Sequence, residues 1–399
     1  MNGNSFFPKN ITAALRNDPP GAWMPELPEE CIRLSSGYPA SALVPAEQIK
    51  AAVVRLIDEE QDLPLHYLGS PRIDKLKQQI QKRLTERGIS VQDEELLITS
   101  GACQAIDLIA RILLDEKAVV AVESPTYMEA LEIFQNYTNQ VISIPVDDQG
   151  LQTDLLATVL AERKRKGLNL PRFLYTIPTF QNPTGTTMSP ERRKHLLELS
   201  FLYNFLILED DAYGELSFDV RPLPLKAIDV QGRVLHVGSL SKVVAPGMRI
   251  GWIAGARELV SALAWFKKDL DHPFAHATMA VYLENVNLKK RIGIVKDVYQ
   301  SKCATLIGAL EQFFPKSATW YVPGGGYFVW VKIPGVDTSR LLEQALSAGV
   351  SYVPGKYFFL DQKDGTEFLR LSFSYADEEE IVKGIQKLGK VVESFLNKC

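Results

Sequence analysis

The sequence predicts an α/β fold: a large doubly wound, mostly parallel sheet domain followed by a smaller α+β domain. Three observations predict it. Short apolar runs recur at Leu96-Leu97-Ile98-Thr99, Ala118-Val119-Val120-Ala121-Val122, Arg172-Phe173-Leu174-Tyr175-Thr176, Phe205-Leu206-Ile207-Leu208 and Val234-Leu235-His236-Val237. Stretches of helical spacing, residues 105–114 and 191–203, alternate with them. The length, 399 residues, suits one large domain and one smaller one.

Continuous apolar character suits strands covered on both faces, as in parallel sheets. The alternation of strands with helices argues for a doubly wound domain. Sites in such sheets lie beyond the carboxyl ends of the strands. Motifs that directly follow these strands should therefore converge there.

The flanks read differently. Asp18-Pro19-Pro20-Gly21 and further prolines up to Pro45 suggest an extended arm over residues 1–48 with little regular structure. Residues 49–285 form the large domain in this reading, and 286–399 the small one. In the small domain a long helical pattern reaches Phe314. Strand-like Gly326-Tyr327-Phe328-Val329-Trp330-Val331 and Phe368-Leu369-Arg370-Leu371-Ser372-Phe373 follow, then a C-terminal helix. The arm is expected to pack near this domain. There is no internal repeat and no low-complexity segment.

Composition excludes several classes. Hydrophobic content of 46% and charged content of 23% are ordinary for a soluble globular protein. A net charge of −4 supplies no basic field for nucleic acid. The run Arg163-Lys164-Arg165-Lys166 reads as a solvated helix end. Cys31, Cys103, Cys303 and Cys399 are scattered, with no CxxC pair, so no metal and no disulfide framework is indicated. A reducing cytoplasm is the expected compartment. Residues 1–10 lack a signal-peptide pattern, and no apolar run is long enough to span a bilayer.

The chemistry begins at Gly238-Ser239-Leu240-Ser241-Lys242 and Pro246-Gly247-Met248-Arg249-Ile250-Gly251. Lysine forms imines with carbonyl cofactors such as pyridoxal phosphate. Ser239, Ser241 and Arg249 add hydroxyls and a permanent charge suited to a phosphate. Ser100-Gly101-Ala102-Cys103-Gln104 follows a strand and opens a helix, whose free N–H groups and dipole attract anions. Cys103 would contribute its backbone there, its thiol being structural.

A ring nitrogen needs a carboxylate, which keeps it protonated and makes the ring an electron sink. Glu209-Asp210-Asp211-Ala212-Tyr213 follows a strand, and Asp210 and Asp211 compete for this role. Either acid can instead be a helix N-cap, a reading that suits Asp211 better. Tyr213 and the amide of Asn182, in Phe180-Gln181-Asn182-Pro183-Thr184-Gly185, are candidates to reach the ring hydroxyl. Asn-Pro and Thr-Gly are also plain turn signals. Tyr127, in Glu123-Ser124-Pro125-Thr126-Tyr127, is a candidate to stack on the ring, or a core aromatic. Arg370 sits mid-strand in an apolar pattern, where an unpaired charge is costly. It suits the carboxylate of an amino acid; the bland reading is an edge-strand Arg facing water. Gly37, in Ser36-Gly37-Tyr38-Pro39, is a candidate pocket wall.

Together these motifs, over about residues 30–390, resemble the class I/II aminotransferases of the fold-type I pyridoxal-phosphate enzymes. Gln181-Asn182-Pro183-Thr184-Gly185 and Glu209-Asp210-Asp211 look most like the 2-aminoadipate/kynurenine aminotransferase branch. That branch also covers the aminotransferase-like part of certain bacterial regulators. The resemblance implies a seven-stranded-type sheet and a set of roles. Lys242 holds the cofactor and moves a proton. Asp210 pairs with the ring nitrogen, Asn182 and Tyr213 hold the ring oxygen, and Tyr127 stacks. The Ala102 and Cys103 amides, with Gly101, Ser239, Ser241 and Arg249, hold the phosphate. Arg370 holds the substrate carboxylate. Tyr67 reaches the phosphate in a partner subunit, so a homodimer is implied. The substrates implied are an amino acid and a 2-oxo acid, with glutamate and 2-oxoglutarate as the common pair.

The sequence departs from the family in places. Beyond Tyr67, the usual Gly and Leu-Arg read Arg72 and Leu76-Lys77, Gly-Asp is replaced within Asp115-Glu116-Lys117-Ala118, and the usual Ser after Gly101 is Ala102. Arg72 is either a reader of a distal carboxylate or a structural Arg. No Arg lies between Arg16 and Arg33, so a basic lid is not evident. Two other readings stand beside the aminotransferase: a lyase or decarboxylase on the same scaffold, and a non-enzymatic effector domain of a gene regulator. Residues 1–50 are too short and proline-rich for a winged helix. Ser124–Pro125 and Asn182–Pro183 are candidate cis peptides.

Overall fold

The computed structural model describes residues 6–397, apart from 8, 17, 18, 20, 22, 24, 25, 68 and 269–271. Asp18 and Pro20 of the proline-rich arm, and Cys399, lie outside the described residues.

Eight strands form the large sheet. Their order is Leu96–Thr99, Gly251–Ala254, Val234–Ser239, Leu206–Asp210, Pro171–Thr176, Val119–Ser124, Val141–Asp147 and Gly150–Leu151. Gly251–Ala254 runs antiparallel to both neighbours, and the two-residue Gly150–Leu151 to its single neighbour. All other pairings are parallel. The sheet is thus a seven-stranded unit with a short edge extension. The five expected strands are present, and Val141–Asp147 and Gly251–Ala254 are additions.

Successive residues on a strand face opposite ways, and here both ways lead into a core. Val120, Val122, Phe173, Tyr175 and Leu208 pack into one apolar cluster. Ala121, Leu174 and Ile207 pack into another on the opposite face. Helices Thr153–Arg165 and Pro190–Tyr203 close that second face with Leu156, Leu160, Leu196 and Leu199. Helix Ala102–Leu113 closes the first with Ala105, Ile106 and Ile109, the i, i+1, i+4 stripe of one helix face. Double coverage is the physical reason the strands read as unbroken apolar runs. Each fully buried Leu or Ile contributes about 1.5–3 kcal/mol relative to an exposed one.

A second, antiparallel sheet has the order Thr319–Trp320, Phe328–Lys332, Phe368–Ser372 and Val353–Pro354. Arg370 lies between Trp330 on one neighbour and Val353 on the other, so its strand is internal rather than an edge. The long helix Leu288–Phe313 packs against the C-terminal helix Glu378–Leu396. The N-terminal arm is more regular than its prolines suggest. It contains the helix Lys9–Ala14, and Ile32–Arg33 pairs in parallel with Val350–Ser351. That pairing carries residues 33–38 across to the large sheet. Among the described residues, no helix is long and apolar enough to cross a membrane.

Candidate active site

Three adjacent acids end the central strand Leu206–Asp210 and its exit, and the fold sends each a different way. Glu209 is fully buried and accepts from the Leu225 and Lys226 backbone amides, with His236 Nδ1 at 2.9 Å. Burial pushes its carboxyl up, but these partners outweigh that and hold it below the usual range. Asp211 is bound by the Arg87 guanidinium, away from the site. Asp210 faces the cavity. Its Oδ2 accepts from the Tyr175 hydroxyl at 2.9 Å, and its buried Oδ1 has no partner. Burial pushes Asp210 up to about 6. Asp211, rather than being a helix cap, is thus a structural ion-pair partner.

Lys242 lies just past the end of the next strand, Val234–Ser239. Its Nζ donates to the Gly37 carbonyl at 2.8 Å. Burial pulls it down to about 8. On the same edge, Gly251 pairs with both Thr99 and Ser239, which brings three sequence motifs side by side. Gly101, at φ +96°, starts the helix Ala102–Leu113 and has no side chain to cap it. A Cβ on Gly101 would collide with the Arg249 guanidinium, and one on Gly251 would lie 2.6 Å from the Gly101 carbonyl carbon. Arg249 Nη2 donates to Ser100 O at 2.9 Å. Ser239 Oγ donates to Ser241 Oγ at 2.8 Å. An uncapped helix start, two hydroxyls and a guanidinium therefore share one cradle, the donor set that a phosphate takes.

These groups line one cavity of about 210 Å³, with Ala102, Cys103, Tyr127, Asn182, Tyr213 and Asp210 among its walls. A second cavity of about 410 Å³ adjoins it and shares Tyr38, Tyr127, Glu129, Asn182, Tyr213 and Lys242. Its own walls include Gly37, Phe328 and Arg370. Arg370 is buried. Nη1 donates to Asn182 Oδ1 at 2.9 Å and Nη2 to Ser35 O at 3.1 Å, while Nε has no partner. The guanidinium carbon sits 4.0 Å from the Phe328 ring centroid. Burial pulls its pKa down to about 10. A buried guanidinium with donors to spare is poised for a carboxylate. Asn182 thus meets Arg370 as well as the inner cavity. Burial pushes the hydroxyls of Tyr213 and Tyr127 well up, so both are neutral donors. The Cys103 thiol lies 3.4 Å from Glu129 Oε2 and is pushed up to about 12 by burial and that carboxylate, so it is inert.

Beneath the cavity, Glu123 ties two loops together. It is buried at the end of strand Val119–Ser124, and burial pushes it up to about 7. Its carboxylate accepts from Thr176 Oγ1 at 2.5 Å, Ile177 N at 3.1 Å and Gln181 Nε2 at 3.1 Å. Gln181 also donates to Pro125 O and accepts from Thr184 N, both at 2.8 Å. The Tyr127 and Asn182 loops are so joined, and their Ser124–Pro125 and Asn182–Pro183 bonds are both cis.

Two residues lie elsewhere. Tyr67 is 78% exposed and lines neither cavity. Arg72 does not read a substrate: it is buried and bound by Glu59, Glu60 and Glu284. Three carboxylates already occupy its guanidinium, which is therefore a structural Arg with no free donor face for a distal carboxylate. Sequence reasoning missed Tyr175, Glu129 and Arg33, the last of which lines the outer cavity. Glu123, a carboxylate ending an apolar run, carried a signal; Glu129 carried none.

Residues 29–388 match the family model for aminotransferase class I and II. The chain belongs to the class I and II aminotransferases. It is 37% identical over 375 residues to aromatic-amino-acid aminotransferase 1 of Thermococcus litoralis, covering 92% of this chain and 89% of the relative. Its fold matches multiple substrate aminotransferase from Thermococcus profundus with a TM-score of 0.91 at 35% identity, covering all of both chains. It also matches LysN, the α-aminoadipate aminotransferase from Thermus thermophilus, with a TM-score of 0.89 at 31% identity over the full length of both. LysN was solved with N-(5′-phosphopyridoxyl)-L-leucine. This aminotransferase is a pyridoxal-phosphate-dependent enzyme acting on small molecules. Its own residues fit that cofactor: the cradle around Gly101 suits the phosphate, and the unpartnered Oδ1 of Asp210 suits a protonated ring nitrogen.

Proposed function

We propose that this aminotransferase exchanges an amino group between an L-amino acid and a 2-oxo acid, with glutamate and 2-oxoglutarate as one pair. The observation that carries the reading is the convergence of Lys242, Asp210 and Arg370 on two adjoining cavities that share Lys242 as a wall. Pyridoxal phosphate, when bound, supplies an electron sink for the pair left at the substrate α-carbon. Lys242 would take the proton from that carbon and hold it for return. An amine pulled down to about 8 keeps a working unprotonated share near neutral pH. Asp210 Oδ1, which has no partner, would accept from the ring nitrogen, and the opposite charge there would offset the cost of ionising a buried carboxyl.

In this reading the Ala102 and Cys103 amides, with Gly101, Ser239, Ser241 and Arg249, hold the phosphate. Asn182 and Tyr213 donate to the ring oxygen, and Tyr127 covers the ring face. Arg370 grips the α-carboxylate, with Asn182 and Gly37 beside it. Residues 49–285 supply the cofactor contacts and 286–399 supply Arg370. Tyr67, exposed and lining neither of its own cavities, reaches the phosphate of a second subunit in a homodimer in this reading. The compartment proposed is the cytoplasm.

Product analysis tests this. With L-glutamate and a panel of 2-oxo acids, the expected products are 2-oxoglutarate and a new amino acid in equal amounts. Release of ammonia or carbon dioxide in place of 2-oxoglutarate would instead point to a lyase or decarboxylase.

A further inference from the structure

The outer cavity has a charge pattern that its role in gripping an α-carboxylate does not use. Arg33, Glu129, Lys242 and Arg370 are its charged walls. Glu129 stands at the inner end: it also lines the cofactor cavity, and the Cys103 thiol lies on its Oε2. Lys242 and Arg370 have roles already. Arg33 lines only the outer cavity. It ends the strand Ile32–Arg33 and is exposed, with the Tyr375 ring centroid 5.9 Å from its guanidinium carbon. No carboxylate pairs with it among the described residues. From Arg33 the chain runs along the cavity through Ser35, Ser36 and Gly37, and Ser35 O accepts from Arg370. Arg33 and Arg370 thus line one cavity and are linked through Ser35.

We infer that Arg33 is a specificity-determining residue that binds the distal carboxylate of a dicarboxylic amino acid or 2-oxo acid while Arg370 holds the α-carboxylate. The inference rests on the aminotransferase reading of this site and assigns one substrate class within it. Physical balance favours it. A second negative charge in this cavity meets one cation that no other role claims, Arg33, while the single acid, Glu129, stands toward the cofactor cavity. The fork of an arginine matches a carboxylate in two hydrogen bonds. Because Arg33 is exposed, solvent screens the pair, and its benefit is moderate. Leu27, Met128 and Phe328 give the wall an apolar part, so uncharged side chains also enter. Arg33 therefore adds affinity for acids without excluding other substrates.

The test compares glutarate with pentanoate, which have equal chain length and differ in the distal carboxylate. Binding of each to the cofactor-loaded enzyme is measured by calorimetry for wild type, Arg33→Ala and Arg33→Lys. Wild type is expected to bind glutarate roughly three- to tenfold more tightly. Arg33→Ala is expected to lose this preference with pentanoate affinity intact, and Arg33→Lys to keep part of it. A full preference retained in Arg33→Ala, an equal loss for both ligands, or no preference in wild type overturns the inference. Glutamate turnover by the wild type is scored separately. If the preference depends on Arg33 but glutamate is not converted, the glutamate pair falls and Arg33 stands. If glutamate is converted and Arg33→Ala keeps the preference, Arg33 falls and the pair stands.

Discussion

The Tyr175 hydroxyl donates to Oδ2 of Asp210 at 2.9 Å and leaves Oδ1 as the unpartnered atom. Tyr175 thus fixes how the carboxylate is turned and which oxygen is left free. Tyr175→Phe should keep the fold, because the ring stays in its apolar cluster. It should lower kcat several-fold and weaken cofactor binding, whereas Asp210→Asn should cost about 10²–10³ in kcat. Steady-state rates and cofactor titration check both. Equal, full activity in Tyr175→Phe and Asp210→Asn would remove Asp210 from the ring nitrogen.

Arg370 should act on binding more than on chemistry. Arg370→Ala removes a charged hydrogen-bonding partner worth about 1.5–3 kcal/mol. The expected effect is a rise in KM of about 10- to 100-fold for every amino-acid donor, acidic or not. Arg370→Lys should recover little, since a point charge does not replace the fork. Kinetics on an acidic and an aromatic donor separate this residue from Arg33.

Gln181 joins the Tyr127 and Asn182 loops through Glu123, Pro125 and Thr184. Gln181→Ala leaves buried donors and acceptors without partners, each costing about 1–3 kcal/mol. The melting temperature should fall, and cofactor affinity should fall with it. A variant with lowered stability but wild-type cofactor affinity would limit this bridge to a structural role.

The cofactor-free protein should show two pH windows of opposite slope. Asp210 is raised to about 6, so between the ordinary carboxylate range and 6 the native state holds more protons than the unfolded chain. Its contribution to stability therefore falls as pH rises through that window. Lys242 is lowered to about 8, so from 8 up to the ordinary lysine range the unfolded chain holds more protons. Its contribution rises with pH there. Thermal unfolding across pH checks the signs: Asp210→Asn should lessen the slope of the first window, which Glu123, raised to about 7, shares, and Lys242→Met should lessen that of the second.

Much of this was legible because the relevant patterns are local. Strands buried on both faces read as apolar runs, and five of them were placed within a residue or two. Val141–Asp147 escaped because Ser143 and Pro145 break its run, and Gly251–Ala254 because it is short and flanked by glycine. Phosphate and ring contacts sit in motifs that follow strands, so topology gathers them. Arg33, Tyr175 and Glu129 were not legible in that way. An exposed Arg, a strand Tyr and a helix Glu acquire meaning only from what folds opposite them. Arg72 shows the converse. Its sequence context invited a substrate role, and three glutamates from two separate segments claim it instead.

In the proposed function Lys242 carries the cofactor and the proton. The most direct measurement is the visible absorption spectrum of the purified, pyridoxal-phosphate-loaded protein before and after L-glutamate, beside Lys242→Ala. The expected result is a yellow band in wild type that glutamate bleaches and 2-oxoglutarate restores, with no such band in Lys242→Ala. A yellow, covalently held cofactor in Lys242→Ala would contradict the account.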